Sequence, residues 1–267
     1  MAKAKTPTAS NGNPDRTSAV QRAFALIEII VAEDRPMSLA QMADRLSLPK
    51  PSVHRMASRL EADGLLAREP EGKHFTIGPR LSRLAIDTLA SSAQRAPRHA
   101  VLEGLARDTG ETCNLGTLEG SRVVYLDRVE THWPLRLQLS VGSHVPLHCT
   151  AMGKLFLSQM SKRTRDRLYS TGALESFTDH TITDIGVLEK ELKVIRDRAV
   201  AVNDQEYMIG LVGLAVPVPN PARDGSFAAA LAIHAPQPRL DAEEILRYEP
   251  TLRRAAERLG DLMWEPA

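Results

Sequence analysis

"SLAQMADRLSLPKPSVHRMASRLEADGLL", residues 38–66, contains two short amphipathic helices separated by a tight turn. Ser38 is a favoured helix N-cap residue, and the first helix should stop at Ser47-Leu48-Pro49. Pro51 suits the first turn of the second helix because that turn needs no N–H donor there. Gly64 suits its end. The spacing therefore predicts a helix-turn-helix.

The segments on either side extend this motif to a winged helix. Apolar residues recur at helical spacing from Ser18 onward, which predicts a preceding helix that ends near Glu33. Residues 65–78 contain two strand-like runs around a turn at 69–73, which predicts a hairpin beside the helices. Helix, helix-turn-helix and hairpin follow one another in the order of a winged helix-turn-helix domain.

The second helix of the motif would bury Val53, Met56 and Leu60 and turn small polar and cationic side chains outward. Such side chains can contact base edges and phosphates in a major groove. A solvated face on a three-helix bundle would carry the same residue types, and the predicted wing favours DNA. The residues predicted to bind DNA are Ser38, Lys50, Ser52, His54, Arg55, Ser58, Arg59, Arg68 and Lys73.

Length and composition predict two domains and a reducing compartment. The chain has 267 residues, a formal net charge of +1 and two cysteines, too few for a disulfide framework. Residues 1–80 carry 12 Lys and Arg against 9 Asp and Glu, a mild basic excess. Residues 1–16 lack an apolar core and read as a disordered tail, not a signal peptide. No apolar run is long enough to span a bilayer, so a cytoplasmic protein is expected.

Beyond residue 80 the pattern changes to an α+β domain. Residues 81–95 read as a linker helix, and a second helix should end at Gly110. Strand patterns then alternate with helix patterns, at 111–120, 122–129, 135–142, 212–219 and 227–234 for the strands and at 151–160 and 187–200 for the helices. A closing helix should start near Asp241. The predicted domains are 17–80 for the winged helix, 81–95 for the linker and 96–267 for the α+β domain.

One stretch of the second domain, "PLHCTAMGKLFL" at residues 146–157, invites four chemical interpretations. A phosphate loop would need a longer glycine pattern. A Cys149 nucleophile would need a base such as His234 and an oxyanion hole. A metal site could use His148, Cys149 and His234 or His144, but no ligand spacing supports it. The fourth interpretation is a helix capped by Thr150, whose first N–H groups bind a carboxylate or only water.

The chain resembles the IclR family of bacterial transcriptional regulators. The resemblance rests on "SAVQRAFALIEII", "SLAQMADRLSLPKPSVHRMASRLEADGLL", "FTIGPRL", "LARDTGETCNL", "PLHCTAMGK" and "VNDQEYMIGLVGLAVPV", which occur in family order over about residues 18–260. It implies a GAF-like effector-binding domain. It also implies homodimers or homotetramers that bind a palindromic double-stranded operator. We expect no enzymatic activity and no cofactor, with a metal-dependent sensor as the alternative that metal analysis of the purified protein would test.

The resemblance also implies where an effector binds. The backbone amides at Ala151 and Met152 would hold its acid group. Asn203 stands where the family has an acidic residue, and Ala232 and His234 stand where it has two serines, which argues against glyoxylate and favours a larger, aromatic acid from a catabolic pathway. The residues expected to bind the effector are Cys113, Trp133, Leu137, Cys149, Ala151, Met152, Asn203, Glu206 and His234.

Overall fold

The chain forms two compact units, one up to Ala85 and one from Ile86. The structure is a computed structural model that describes residues 18–33, 35–69, 72–90, 92–131, 139–170, 172–220 and 227–264. The predicted disordered tail at 1–16 lies outside the described residues. None of the described helices is long and apolar enough to cross a membrane.

The first unit is the predicted winged helix. Its helices are α1 (Ala19–Glu33), α2 (Leu39–Leu46) and α3 (Lys50–Ala62), and its strands are β1 (Met37–Ser38), β2 (Leu66–Arg68) and β3 (His74–Ile77). The three strands form an antiparallel sheet in the order β1-β3-β2. The helix-turn-helix and the wing are confirmed. Strand β1 was not predicted because two residues carry no periodicity.

Local capping and a small apolar core fix the geometry of this unit. The Ser38 hydroxyl accepts a hydrogen bond from the Gln41 N–H, and the Gln41 side chain accepts one from the Ser38 N–H, which forms a capping box. Ser47 ends α2 in the left-handed region with φ of 54°. The buried core contains Leu26 and Ile30 of α1, Met42, Val53, Ala57, Leu60, Leu66 and Phe75.

The predicted linker is divided between two helices. Helix α4 spans Pro79–Ala90, and α5 spans Ser92–Thr109 with Pro97 inside it. The predicted linker helix over residues 81–95 falls on α4 and the start of α5, and residue 91, between the two, lies outside the described residues. Gly110 ends α5 with φ of 72°, as expected.

The second unit is built on a six-stranded antiparallel sheet. Its strands are β4 (Thr112–Glu119), β5 (Arg122–Val129), β6 (His144–Pro146), β7 (Ala201–Asp204), β8 (Leu211–Val218) and β9 (Ala229–Pro236), in the order β6-β5-β4-β9-β8-β7. The helices are α6 (Ala151–Gln159), α7 (Lys162–Tyr169), α8 (Ile185–Arg198) and α9 (Glu249–Trp264), with a short 3₁₀ helix at Glu244–Tyr248. This α+β architecture confirms the predicted fold class.

Each face of the sheet has its own core. On one face, Val, Leu and Ile side chains of β8 and β9 pack with apolar residues of α5 and α9. On the other face, the middle of β8 and β9 contributes small side chains, which α6 covers. These small residues are Gly213, Ala215, Ala230 and Ala232. These small residues allow α6 to pack close to the sheet, so the candidate effector site is expected on this face.

The secondary structure predicted for this unit needs correction in three respects. The closing helix α9 begins at Glu249, not near Asp241, because the 3₁₀ helix comes first. Half of the strand predicted at 135–142, residues 135–138, lies outside the described residues, and the described half is not a strand. Strands β6 and β7 and helix α7 were missed, since strands of three and four residues give too little alternation to detect.

Candidate functional site

Helix α3 presents the cationic face that the sequence predicts. Its buried side is formed by Val53, Ala57 and Leu60. Lys50, His54, Arg55 and Arg59 are exposed, whereas Ser52 and Ser58 are partly buried. Arg55 Nη2 lies 3.4 Å from Ser52 Oγ, and Arg59 Nε lies 3.3 Å from Asp63 Oδ2. Residues 50–60 contain no acidic side chain, so this face is able to approach phosphates.

The wing holds its two predicted basic residues differently. Lys73 is exposed in the turn between β2 and β3. Arg68 Nε lies 2.8 Å from Glu61 Oε1, its Nη1 donates to Gly72 O at 3.1 Å, and its guanidinium stacks 4.2 Å from the centre of the Phe75 ring. Arg68 therefore braces the wing against α3, a role that the sequence did not predict.

A groove of about 490 Å³ lies between the start of α1 and the turn that joins α2 to α3. Arg22 of α1 and Arg55 of α3 both line it, together with Ser52. Sequence reasoning missed Arg22, because it reaches the recognition helix only through the packing of the three helices. The groove adds a second arginine to the candidate DNA-binding face.

In the second unit, one cross-strand row carries the polar residues of the candidate effector site. Thr112, His234, Gly213 and Asn203 are paired in succession across β4, β9, β8 and β7. Directly paired residues share a face of the sheet, and so do residues two apart in one strand. His234 and Gly213 are therefore on the same face as Ala232 and Ala215, which pack under α6. The row therefore faces α6.

Helix α6 reaches the β7 end of this row, because its Lys154 pairs with Glu206, whose backbone N–H binds Asn203. Thr150 caps the helix by accepting the Gly153 N–H at 3.1 Å. A Cβ on Gly153 would lie 2.2 Å from Leu147 O, so this glycine allows α6 to pack directly on the preceding loop. The N–H groups of Ala151 and Met152 belong to the first turn, which has no intrahelical acceptors. The glycine of "AMGK" thus serves packing and not a phosphate loop.

Lys154 connects α6 to the end of β7 through a buried ion pair. Its side chain is only 1% exposed, and its Nζ lies 2.5 Å from Glu206 Oε1 and also binds Glu191. Burial raises the pKa of Glu206, while Lys154 lowers it. The second carboxylate oxygen of Glu206 is buried and has no hydrogen-bond partner among the described residues. A ligand donor at this oxygen would satisfy it.

A hydrogen-bonded chain crosses the strands beside this pair. Arg128 Nη1 donates to Asn114 Oδ1 at 2.7 Å, and Asn114 Nδ2 lies 2.7 Å from His234 Nδ1. Arg128 also forms an ion pair with Glu130 at 3.1 Å, and its side chain is 4% exposed. Burial and the charge of Arg128 lower the pKa of His234 to about 4, so the imidazole is neutral at physiological pH. Sequence reasoning found His234 but missed Asn114 and Arg128.

The two cysteines lie on opposite sides of the sheet. Cys149 is buried beside the ion pair, and burial, reinforced by Glu206, raises the pKa of its thiol to about 12. Cys113 packs in the core formed with α5 and α9, and its Sγ donates to Glu111 O. The prediction that Cys113 lines the effector site is therefore wrong, because its side chain points to the other face. A thiol with such a raised pKa is also a poor nucleophile at neutral pH.

Two other predicted residues, Trp133 and Leu137, lie outside the described residues. Among the residues that the structure does describe, no three His, Cys, Asp or Glu side chains are grouped to hold a metal ion. A separate cavity of about 450 Å³ opens beside β6 and α7, and none of the predicted effector residues lines it. Its walls include Arg122, His144, His148, Tyr169, Phe177 and Tyr207.

Comparisons with known proteins agree with both units. The model of the IclR helix-turn-helix domain matches residues 19–70, and that of the bacterial transcriptional regulator IclR C-terminal domain matches residues 88–260. The "Probable transcriptional regulator SauR" of Cupriavidus necator is 42% identical over 243 residues, which cover 91% of this chain and 95% of SauR.

Two solved structures share the fold at 26% identity each. The Thermotoga maritima IclR structure has a TM-score of 0.59 and covers 90% of this chain and 96% of that chain. The inducer-binding domain of a double mutant of the PobR transcription factor from Acinetobacter, in complex with 3-hydroxybenzoic acid, has a TM-score of 0.56. It covers 62% of this chain and 96% of that domain.

A winged helix with a cationic recognition helix, followed by an α+β sensor domain, defines a DNA-binding transcriptional regulator with a small-molecule effector domain. The match of both family models and of a 42% identical relative identifies the group. The chain belongs to the IclR family of bacterial transcriptional regulators. Its relatives are regulators and not enzymes.

Proposed function

We propose that the affinity of this regulator for its operator is controlled by a small aromatic carboxylic acid bound between the start of α6 and the sheet. One observation carries the proposal: the row of His234, Gly213 and Asn203 lies on the face of the sheet that α6 covers, beside a floor of small side chains. The helix N-terminus favours an anion, and the row offers polar groups to a second substituent.

The aromatic character of the ligand rests on a relative. The PobR domain, which is 26% identical, was solved with 3-hydroxybenzoic acid. In this chain, the buried Glu206 oxygen without a partner suits a hydroxyl donor on such a ring. The expected effector is therefore a hydroxylated or otherwise oxygenated aromatic acid from a catabolic pathway in the cytoplasm.

On the DNA side, Arg55 and Ser52 of α3 would enter the major groove, with Lys50, His54, Ser58 and Arg59 around them. Arg22 and the wing residue Lys73 would contact phosphates. One recognition helix covers few base pairs, so specific binding requires a symmetric dimer on a palindrome. The domain assignment behind this arrangement is a winged helix over residues 17–80, a linker that begins at 81, and the sensor unit to the end of the chain.

The apolar surface of the first unit supports dimerisation. Val20 and Phe24 of α1 are 65% and 62% exposed, and Leu84 of α4 is 58% exposed. Side chains of this kind are stabilised when a partner covers them. A homodimer, or a homotetramer built from two dimers, is proposed with these residues in its interface.

The test combines DNA selection with ligand titration. Duplexes that bind the full-length protein are selected from a random pool, and the proposal expects a two-fold symmetric consensus. Melting is then followed with 3-hydroxybenzoate and other aromatic acids. A ligand at 100 times its Kd should add about 2.7 kcal/mol to the free energy of unfolding. An asymmetric consensus, or binding of aliphatic acids alone, would contradict the proposal.

A further inference from the structure

The hydrogen-bond chain through Asn114 fixes which way each of its members faces. A guanidinium only donates hydrogen bonds, so Arg128 Nη1, at 2.7 Å, must face the amide oxygen of Asn114. The amide nitrogen of Asn114 then faces His234 Nδ1, also at 2.7 Å. An amide nitrogen donates and does not accept. His234 Nδ1 must therefore be the acceptor and carry no proton.

The remaining proton of the imidazole is thus on Nε2, and the backbone leaves room for it. A Cβ on Gly213 would lie 3.1 Å from His234 Nε2 and 2.9 Å from Cδ2. The N–H edge of the ring therefore lies over Gly213, in the direction of Asn203 on the next strand. No described residue accepts a hydrogen bond from it.

Asn203 is oriented by the same kind of argument. Its Oδ1 accepts the backbone N–H of Glu206 at 3.0 Å, so the amide nitrogen is directed elsewhere. Asn203 is only 1% exposed, and it is paired with Gly213 in the sheet. Two strands that flank one glycine thus each supply an N–H donor. Adjacent strands are about 4.8 Å apart, so β7 and β9, which flank β8, are about 9.6 Å apart, and a group with two acceptor oxygens such as a carboxylate can span the two donors.

We infer that Arg128 and Asn114 hold His234 in its Nε2–H form, so that the two side chains that flank Gly213, those of His234 and Asn203, both present N–H donors and select a ligand group with acceptor oxygens. The inference rests on the proposed function for the location of the ligand. It specifies the second polar group of the effector as a carbonyl, hydroxyl or carboxylate oxygen, and it excludes an ammonium group. Arg128 and Asn114 are positioning residues, because they act through His234.

The protonation state can be measured without any ligand. Full-length protein labelled with ¹⁵N-histidine is studied by solid-state ¹⁵N NMR, and His234→Gln identifies the resonances of His234. We expect Nε2 to carry the proton in the wild type. Arg128→Lys keeps a donor and should keep that state, whereas Arg128→Met removes the donor and should give a mixture. A wild type with the proton on Nδ1, or an Arg128→Met protein with Nε2 fully protonated, would overturn the inference.

The effect on ligand selection is measured with Asn114→Asp. An aspartate only accepts hydrogen bonds, so the proton of the neutral His234 ring should move from Nε2 to Nδ1. Nε2 would then have no proton to donate to the ligand. With 3-hydroxybenzoate as the probe, calorimetry should show affinity reduced by about tenfold or more. Unchanged affinity would show that the ligand does not use this donor. If the wild type does not bind the probe, the proposed aromatic effector is wrong, and the NMR result alone decides the inference.

Discussion

Replacing Lys154 by methionine would leave the Glu206 carboxylate buried without its cation. The two side chains are 1% and 6% exposed, so water cannot replace the lost partner. Removing one member of a buried ion pair costs about 3–5 kcal/mol of unfolding free energy. For a unit of this size, about 2–4 °C of melting temperature is lost per kcal/mol, which predicts a decrease of about 6–20 °C.

Tryptophan fluorescence isolates the unit concerned. The two tryptophans of the chain are Trp133 and Trp264, both beyond Ile86, so the signal reports the second unit and not the winged helix. Lys162→Met is the matched control, because Lys162 is 75% exposed and pairs with Asp166 four residues on in α7. Exposed pairs of this kind contribute about 0.3–0.5 kcal/mol. The control should therefore melt within about 2 °C of the wild type.

The pH dependence tests the cause of the destabilisation. Burial already raises the pKa of Glu206 in the folded protein, and Lys154 opposes that increase, so Lys154→Met should raise it further. A carboxyl whose pKa is higher in the folded than in the unfolded state favours folding when it is protonated. The deficit of the variant should therefore shrink as the pH falls through that folded pKa. A loss below about 1 kcal/mol at pH 8, or a loss equal at pH 8 and pH 5, would refute the reasoning.

Four further predictions concern the DNA-binding face, the proposed dimer interface and the candidate effector site. Arg55→Ala should weaken operator binding by about 1–3 kcal/mol without changing the melting temperature, and unchanged affinity at moderate salt would place the recognition face elsewhere. Leu84→Asp should convert dimers to monomers in sedimentation, because a charge would enter the interface; a stable dimer would show that Leu84 faces solvent. Gly213→Ala should displace the His234 ring and weaken effector binding in calorimetry while operator binding persists, and wild-type effector affinity would contradict the placement of the site. Cys149→Ser should cost about 1–3 kcal/mol in a denaturant melt by placing a hydroxyl in a buried site; an unchanged midpoint would argue against that burial.

The winged helix could be predicted from the sequence because its signals are local. Ser38, Pro51 and Gly64 mark helix ends within a few residues of the apolar positions that define the helices. The wing follows from two short runs and a turn. Further along the chain a local signal misleads, because Pro97, a residue that often ends a helix, lies inside α5.

The candidate effector site was predictable only in part. The start of α6, Asn203 and His234 were located through the resemblance, but their orientation depends on partners that are distant in sequence. Lys154 reaches Glu206 across 52 residues, and Asn114 reaches His234 across 120. The side of the sheet on which Cys113 lies could have been predicted locally. Cys113 is two residues from Leu115 in one strand and therefore shares its face, and Leu115 belongs to the large apolar core.

The charge of the site depends on a single irregularity in β5. Gly116 pairs with Tyr125, but Leu115 pairs with Asp127, so one extra residue forms a bulge between them. Without the bulge, strict alternation from Tyr125 would turn the Asp127 carboxylate toward α6. Instead Asp127 faces α5 and binds Arg95 and His99 there, and Arg128 faces Asn114. The bulge therefore places the cationic Arg128, and not the anionic Asp127, on the side of the sheet where His234 lies. The positive charge on that side makes the row a donor site suited to an acid.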